Sequence, residues 1–496
     1  MYLLGLDIGS SFVKACLLDA GSGKVATSAS SPDTELEIIA KQAGWAEQKP
    51  SVWWENIKAA TARLKGEVGD KIKDTAAIGI SYQMHGLVLV DKNLEVLRPA
   101  IIWCDSRAVE TGQRAAKKIG EKNCFEHCLN LPGNFTASKL KWVKDNEPEI
   151  YRKIHKIMLP GDFVAMKLCG EIKTTYSGLS EGILWDFKKG QIADIVLDCY
   201  GIDKDLIPQA LPAFSIQGKL TKQAAEQLGL KAGIPIAYRA GDQPNNALSL
   251  KVLNAGEAAT TAGTSGVIYG VSENAGYDSK SRVNIFAHIN YSIDKPKYGV
   301  LMCINGTGIC NRWIKNTVAA GLNYEQMNKE AGKVSIGCDG VIVLPFGNGA
   351  ERTLENKNIG ASVHGLNFNR HGREHLLRAG QEGIVFAMKY GLDIMQKMQV
   401  KAETIRAGCA NMFLSDVFCR TFSSVTDAFV ELYNTDGAQG AARGAGIGAG
   451  IYKNYEEAFT GFECVKKIEP EAKMQAEYKN AYENWRSKLE DVLNRS

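Results

Sequence analysis

The chain has 496 residues, 45% of them hydrophobic and 23% charged, with acids and bases interspersed to a net charge of +4. Such a composition describes a globular protein of about two to four domains and excludes a disordered or fibrous chain. No basic block and no apolar run of membrane-spanning length stands out, so neither nucleic acid nor a membrane is an expected partner. The first residues, "MYLLGLDIGSSFVKACLLDA", lack a basic leader and carry Asp7 early. No secretory signal is expected, and the cytoplasm is the expected compartment. The 12 cysteines are scattered without C-x-x-C spacing. They read as free thiols in a reducing environment, several as small core residues.

In chain order, "YLLGLDIGSSFVKACLLD" reads as strand, tight turn and strand. "SVWWENIKAATARLKGEV" has a helical pattern, and "AAIGISY" and "GLVLVD" after it are strand-like. From about Thr136 to Gly170 the pattern is mainly helical, clearest in "SKLKWVKDNEPEIYRKI". "KAGIPIA" predicts a strand that ends just before "GDQPNNALS". A second hairpin follows in "GEAATTAGTSGVIYGVSE", where Gly263 takes the place that Gly9 has in the first. The match suggests two similar halves, placed at 1–245 and 246–496. Later, "GVIVLPF" and "TIRAGCA" predict strands, "REHLLRAGQEGIVFAMKYGLDIMQKM" a long helix, and the tail a mixed-charge helix lying on the surface. Strands alternating with helices give an α/β class.

Several stretches carry chemistry. Neither a Walker A loop nor a G-x-G-x-x-G after a strand is present. The glycines at 440, 444 and 448 recur every four residues and read as a helix face for close packing. Two glycine turns can hold phosphates through converging N–H groups: Gly9-Ser10-Ser11 with Lys14 beyond, and Gly263-Thr264-Ser265-Gly266. Each alone reads sooner as an ordinary hairpin turn; two similar loops in one chain shift the balance toward phosphate. Asp7, at the first turn, can anchor magnesium directly or through water. His85, in "ISYQMHGLVLV", is either a satisfied structural residue or a donor to a ligand hydroxyl. In "IIWCDSR", Trp103 can form an apolar pocket wall, and Asp105 can bond hydroxyls or pair with Arg107. Asp242, between Gly241 and a row of amides, is either the cap of the following helix or a general base.

These segments together resemble the FGGY family of carbohydrate kinases, and within it the kinases of xylulose. The likeness rests on "GLDIGSSFVKA", "QMHGLVLVD" with "LRPAIIWCDSR", "FTASKLKWVKDNEPEIY", "LPGDFVAMKLCGE", "AGDQPNNA", "AGTSGV", "HGLNFNRHGREHLLRAGQEGIVFA", "AGCANMFLSDVF" and "GAQGAARGAGIGAG", in family order. The resemblance implies two related actin/hexokinase-like (ribonuclease H-like) domains with an interdomain cleft. It implies ATP and Mg2+ as cofactors and a small sugar as substrate. The implied activity is ATP-dependent phosphorylation of D-xylulose. Another keto sugar or polyol, or a non-enzymatic nucleotide switch on the same scaffold, stays open, as does assembly as a homodimer. By position, the resemblance makes Asp242 the base, with Met84, His85 and Gln243 on the sugar. Asp7 falls to magnesium, and Ser11, Lys14, Gly263 and Thr264 to the terminal phosphates. Gly308, Gly408 and Asn411 would line the nucleotide. Two departures are visible. Gln243 stands where the family usually has Asn, and the segment after "AG" keeps only Gly408 of the usual glycines.

Overall fold

Alternation along the first strand decides what covers the first sheet. In a computed structural model, which describes residues 1–495, that strand is Tyr2–Ile8. Leu4, Leu6 and Ile8 face one way, into a core with Trp53, Ile57, Ala60 and Leu64 of the helix Pro50–Val68. Leu3, Gly5 and Asp7 face the other way, beneath the helix Gly437–Gly448. Both faces are therefore covered, and the strand is apolar almost throughout, as such strands are.

The described chain divides into two compact units. The first takes Met1–Lys251 with two returns of chain, Phe286–Tyr298 and Thr435–Phe462; the second takes the rest. The units are thus not two consecutive stretches.

In the first unit the six-stranded sheet runs Phe214–Lys219, Pro235–Gly241, Thr75–Tyr82, Tyr2–Ile8, Val13–Asp19, Val25–Ser31. Tyr2–Ile8 pairs antiparallel with Val13–Asp19 and parallel with Thr75–Tyr82; Pro235–Gly241 continues parallel, and Phe214–Lys219 closes the edge antiparallel. In the second unit, Ala258–Ala262 pairs antiparallel with Gly266–Ser272 and parallel with Thr404–Gly408. Phe429–Tyr433 continues parallel, and Cys464–Ile468 closes antiparallel. These five strands of the second, seven-stranded sheet match five of the first in order and direction, so the two glycine turns leave equivalent strands.

The glycine stripe has a direct cause. A Cβ at Gly5 would lie 1.8 Å from the Ala438 carbonyl oxygen, and one at Gly79 would lie 2.0 Å from that of Ala441. On the helix itself, a Cβ at Gly444 would meet the Tyr238 ring at 2.5 Å and one at Gly448 the Ala237 carbonyl at 1.8 Å. Backbone rests on backbone here, which only glycine permits.

In the second unit the long helix is Arg373–Lys397, and the tail forms the helix Gln475–Leu493. The tail is embedded more deeply than a surface helix. Trp485 is 1% exposed, donates from its indole to the Val343 carbonyl at 2.9 Å and packs near Phe346 and Phe386. No helix among the described residues is long and apolar enough to cross a membrane.

Candidate active site

Asp242 is the first residue of the helix Asp242–Ser249, directly after the strand Pro235–Gly241. The cap position belongs to Gly241, with no side-chain capping bond, so the capping role open to Asp242 in the sequence is not the one it takes. Among the described residues it makes no ion pair. Burial, then the charge of Asp7, pushes its carboxyl up to about 7, against hydrogen bonds from Gln243 and from backbone N–H groups.

Asp7 is the last residue but one of the strand Tyr2–Ile8 and accepts a hydrogen bond from the Ser81 hydroxyl at 2.7 Å. Burial holds its carboxyl above the ordinary value, with Asp436 adding to the rise; Ser81 and Lys14 oppose it. A Cβ at Gly437 would stand 2.4 Å from Asp7 Oδ2, so the start of the Gly437–Gly448 helix abuts the carboxylate. Asn245, three residues after Asp242, donates to the Gly437 carbonyl at 2.8 Å. The two carboxylates are thus fixed to a common element.

Lys14 faces Asp7 across the hairpin ladder and is exposed; Ser11 lies in the turn. Trp103 is 53% exposed, and its indole N–H donates to Ser10 Oγ at 3.2 Å, which brings the "IIWCDSR" loop to the glycine turn. Asp105 resolves toward the second of its two roles. It is fully buried, and both its oxygens receive Arg107, at 2.6 to 3.0 Å, while the Ala46 N–H takes one of them at 2.6 Å. Its carboxylate is occupied by these donors, not turned to a ligand hydroxyl. Arg107 also meets Glu47 at 2.7 Å and lies 3.8 Å over the Trp45 ring.

Met84 is buried against Gly241. His85 adopts a left-handed backbone, φ 61°, uncommon for a residue with a side chain. Its Nδ1 lies 2.9 Å from the Glu181 carbonyl. A carbonyl only accepts, so Nδ1 carries a proton. The ring stands edge-on to Phe135 at 4.8 Å.

The second unit holds a cavity of about 340 Å³. Gly263, Thr264, Gly308 and Asn411 line it together with Asn311, Arg312, Tyr324, Asn328 and Ser415. Gly308, opening the helix Gly308–Thr317, donates to the Gly263 carbonyl at 2.8 Å, and Ile309 to that of Thr264 at 3.2 Å. A Cβ at Gly308 would fall 2.2 Å from the Gly263 oxygen. Gly408 closes the strand Thr404–Gly408 three residues before Asn411 and is not among the lining residues.

Sequence reasoning did not find Ser81, Glu181, Lys139, Asn311, Arg312 or Tyr324. Ser81 is the exception in having a signal: it alternates in phase with Gly79 on the strand beside Asp7. Glu181 has none. It is 1% exposed, and burial, then the charge of Asp242, raises its carboxyl well above the ordinary range.

The fold is that of the actin/hexokinase-like phosphotransferases. Residues 2–249 match the family model described as "FGGY family of carbohydrate kinases, N-terminal domain", and residues 258–451 match its C-terminal counterpart. The chain belongs to the FGGY family of carbohydrate kinases. It is 28% identical over 497 residues to a xylulose kinase of Bacillus subtilis, covering 98% of this chain and 96% of that one. It is 29% identical over 502 residues to a xylulose kinase of Escherichia coli, covering 99% of each. The crystal structure of a protein titled a xyloylose kinase from Brucella ovis superposes with a TM-score of 0.91 at 26% identity, covering all of both chains.

Proposed function

We propose that the chain transfers the terminal phosphoryl group of ATP to a hydroxyl of D-xylulose, giving D-xylulose 5-phosphate. The observation that carries the reading is Asp242: a partly buried carboxylate beside Met84 that neither caps its helix nor forms an ion pair among the described residues. The similarity to xylulose kinases over nearly the whole chain supports the choice of sugar.

A sugar hydroxyl is a weak nucleophile, and the transferred group spreads negative charge over its oxygens, so the protein contributes positioning, charge stabilisation and a proton acceptor. Asp242 orients the attacking hydroxyl and takes its proton as the bond to phosphorus forms. His85 bonds a second hydroxyl, Gln243 supplies an amide beside the base, and Trp103 presents an apolar wall. The turns at Gly9 and Gly263 direct N–H groups at phosphate oxygens, helped by Ser11, Lys14 and Thr264. Gly308 and Asn411 flank the nucleotide.

Among the described residues no group of three or more His, Cys, Asp or Glu forms a metal cage. Magnesium is held by one or two carboxylates and completes its shell with water and phosphate. Asp7 would hold it, and when bound the ion would neutralise phosphate charge.

ADP release, measured with ATP and magnesium across keto sugars and polyols, tests the reading. D-Xylulose should give the highest kcat/KM, and Asp242→Ala should abolish release with folding intact. A higher kcat/KM for ribulose, gluconate or glycerol would replace the sugar and keep the chemistry; Gln243, in place of the usual Asn, makes that the reading next in line. Full release by Asp242→Ala would remove the base.

A further inference from the structure

Lys139 is fully buried, and among the described residues no other lysine is. It sits in the first turns of the helix Thr136–Asn146 and makes no ion pair among the described residues. Its ammonium donates instead to two backbone carbonyls: His85 at 2.8 Å and Ile102 at 3.0 Å. A buried ammonium is expensive unless it is compensated, and burial lowers its pKa to about 7. A packed Leu or Met would fill the same space without that cost. The ammonium is therefore retained for what it holds.

What it holds is the junction of the two loops assigned to the sugar. On the side of His85 and Ile102, the last bridge between them is that of Leu87 and Ile101, whose N–H groups and carbonyls exchange bonds at 2.9 and 3.1 Å. Beyond that bridge the pairing stops. The His85 carbonyl on one loop and the Ile102 carbonyl on the other are both acceptors, and nothing in the backbone would draw them together. Lys139 supplies donors to both. His85 is also held in its left-handed backbone there, and Ile102 directly precedes Trp103.

We propose that Lys139 is a positioning residue for the sugar acceptor, a clasp that gathers the His85 and Ile102 carbonyls and so fixes the His85 ring and the Trp103 indole relative to one another. The inference rests on the proposed function and deepens it: the residues that recognise hydroxyls are set by a cation that never touches them. A lysine that only stabilised the unit would lower the amount of folded protein and leave the affinity for sugar alone.

The test is the steady-state kinetics of full-length wild type, Lys139→Met and Lys139→Arg with D-xylulose, ATP and magnesium, beside their melting temperatures. Lys139→Met should raise the KM for sugar about tenfold or more and leave that for ATP within about twofold; Lys139→Arg, which keeps donors, should recover part of the loss. A sugar KM within about twofold of wild type, whatever the melting temperature does, overturns the clasp. Should Lys139→Met not be recovered folded, the same comparison is made on Lys139→Arg, with a rise of about threefold expected and none overturning the proposal. Should neither fold, amide exchange of the wild type decides: sugar should protect 83–87 and 101–105 together, and protection of one segment alone overturns it. Wild-type turnover separates the two failures. No ADP release with any keto sugar or polyol removes the proposed function and the clasp with it, whereas turnover with an unchanged sugar KM in the variant removes only the clasp.

Discussion

Replacing Asp242 by Asn removes a buried charge and keeps the shape, so its effect on stability should depend on pH in a calculable way. The carboxyl moves from an ordinary 3.8 to about 7 in the folded chain. The fold therefore favours the protonated form, while the unfolded chain ionises first. Stability contributed by this group is full below pH 3.8, falls as pH rises, and levels off above about 7. Each pH unit in that window costs about 1.4 kcal/mol. Between pH 5 and pH 8 the window crossed is about two units, so the wild type should lose about 2.7 kcal/mol that Asp242→Asn does not. Urea unfolding of the two proteins in parallel at both pH values measures this, since titrating groups other than Asp7 and Glu181, which feel the charge of Asp242, cancel in the difference. The variant should gain on the wild type by about 2–3 kcal/mol more at pH 8 than at pH 5, while its activity should be lost. An equal gap at both pH values would mean that the carboxylate is already ionised at pH 5, and the burial argument would be wrong.

The same titration should appear in catalysis: kcat/KM for sugar should rise about tenfold per pH unit below about 7 and then level, and a flat profile would dissociate Asp242 from proton transfer. Gly308→Ala forces a methyl group to within 2.2 Å of the Gly263 oxygen, so ADP affinity by calorimetry should fall about tenfold or more. Unchanged affinity would place the nucleotide elsewhere. Glu47→Gln removes one carboxylate from Arg98 and Arg107, which keep Glu147 and Asp105. Unfolding free energy should drop by about 1–3 kcal/mol, and an unchanged value would show that Glu147 and Asp105 alone hold the arginines.

Much of this architecture is written locally in the chain. The two Gly/Ser hairpins announce equivalent strands because a tight turn between apolar runs needs no distant partner to be recognised. The stripe at Gly440, Gly444 and Gly448 likewise foretells close packing, and Tyr238 and Ala237 are what it packs against. Local signals fail where distant residues meet. Asp105 admitted two roles, and the choice turned on Glu47 and Ala46, nearly sixty residues upstream. Lys139 lies in a stretch whose other lysines, Lys141 and Lys144, stay partly exposed, so only the fold distinguishes the buried one. The tail helix has a modest apolar stripe by sequence, yet Val343 and Phe386 give Trp485 a deep seat.

The late return of 435–462 to the first unit has a consequence for synthesis. Glycines at 5 and 79 are laid down early, but the helix that rests on them arrives only near the end of translation. Until then one side of that sheet is bare backbone and leucine, a surface open to misassociation on the ribosome. A stop codon before residue 435 should therefore leave an insoluble fragment, and supplying the missing segment in trans should restore its solubility.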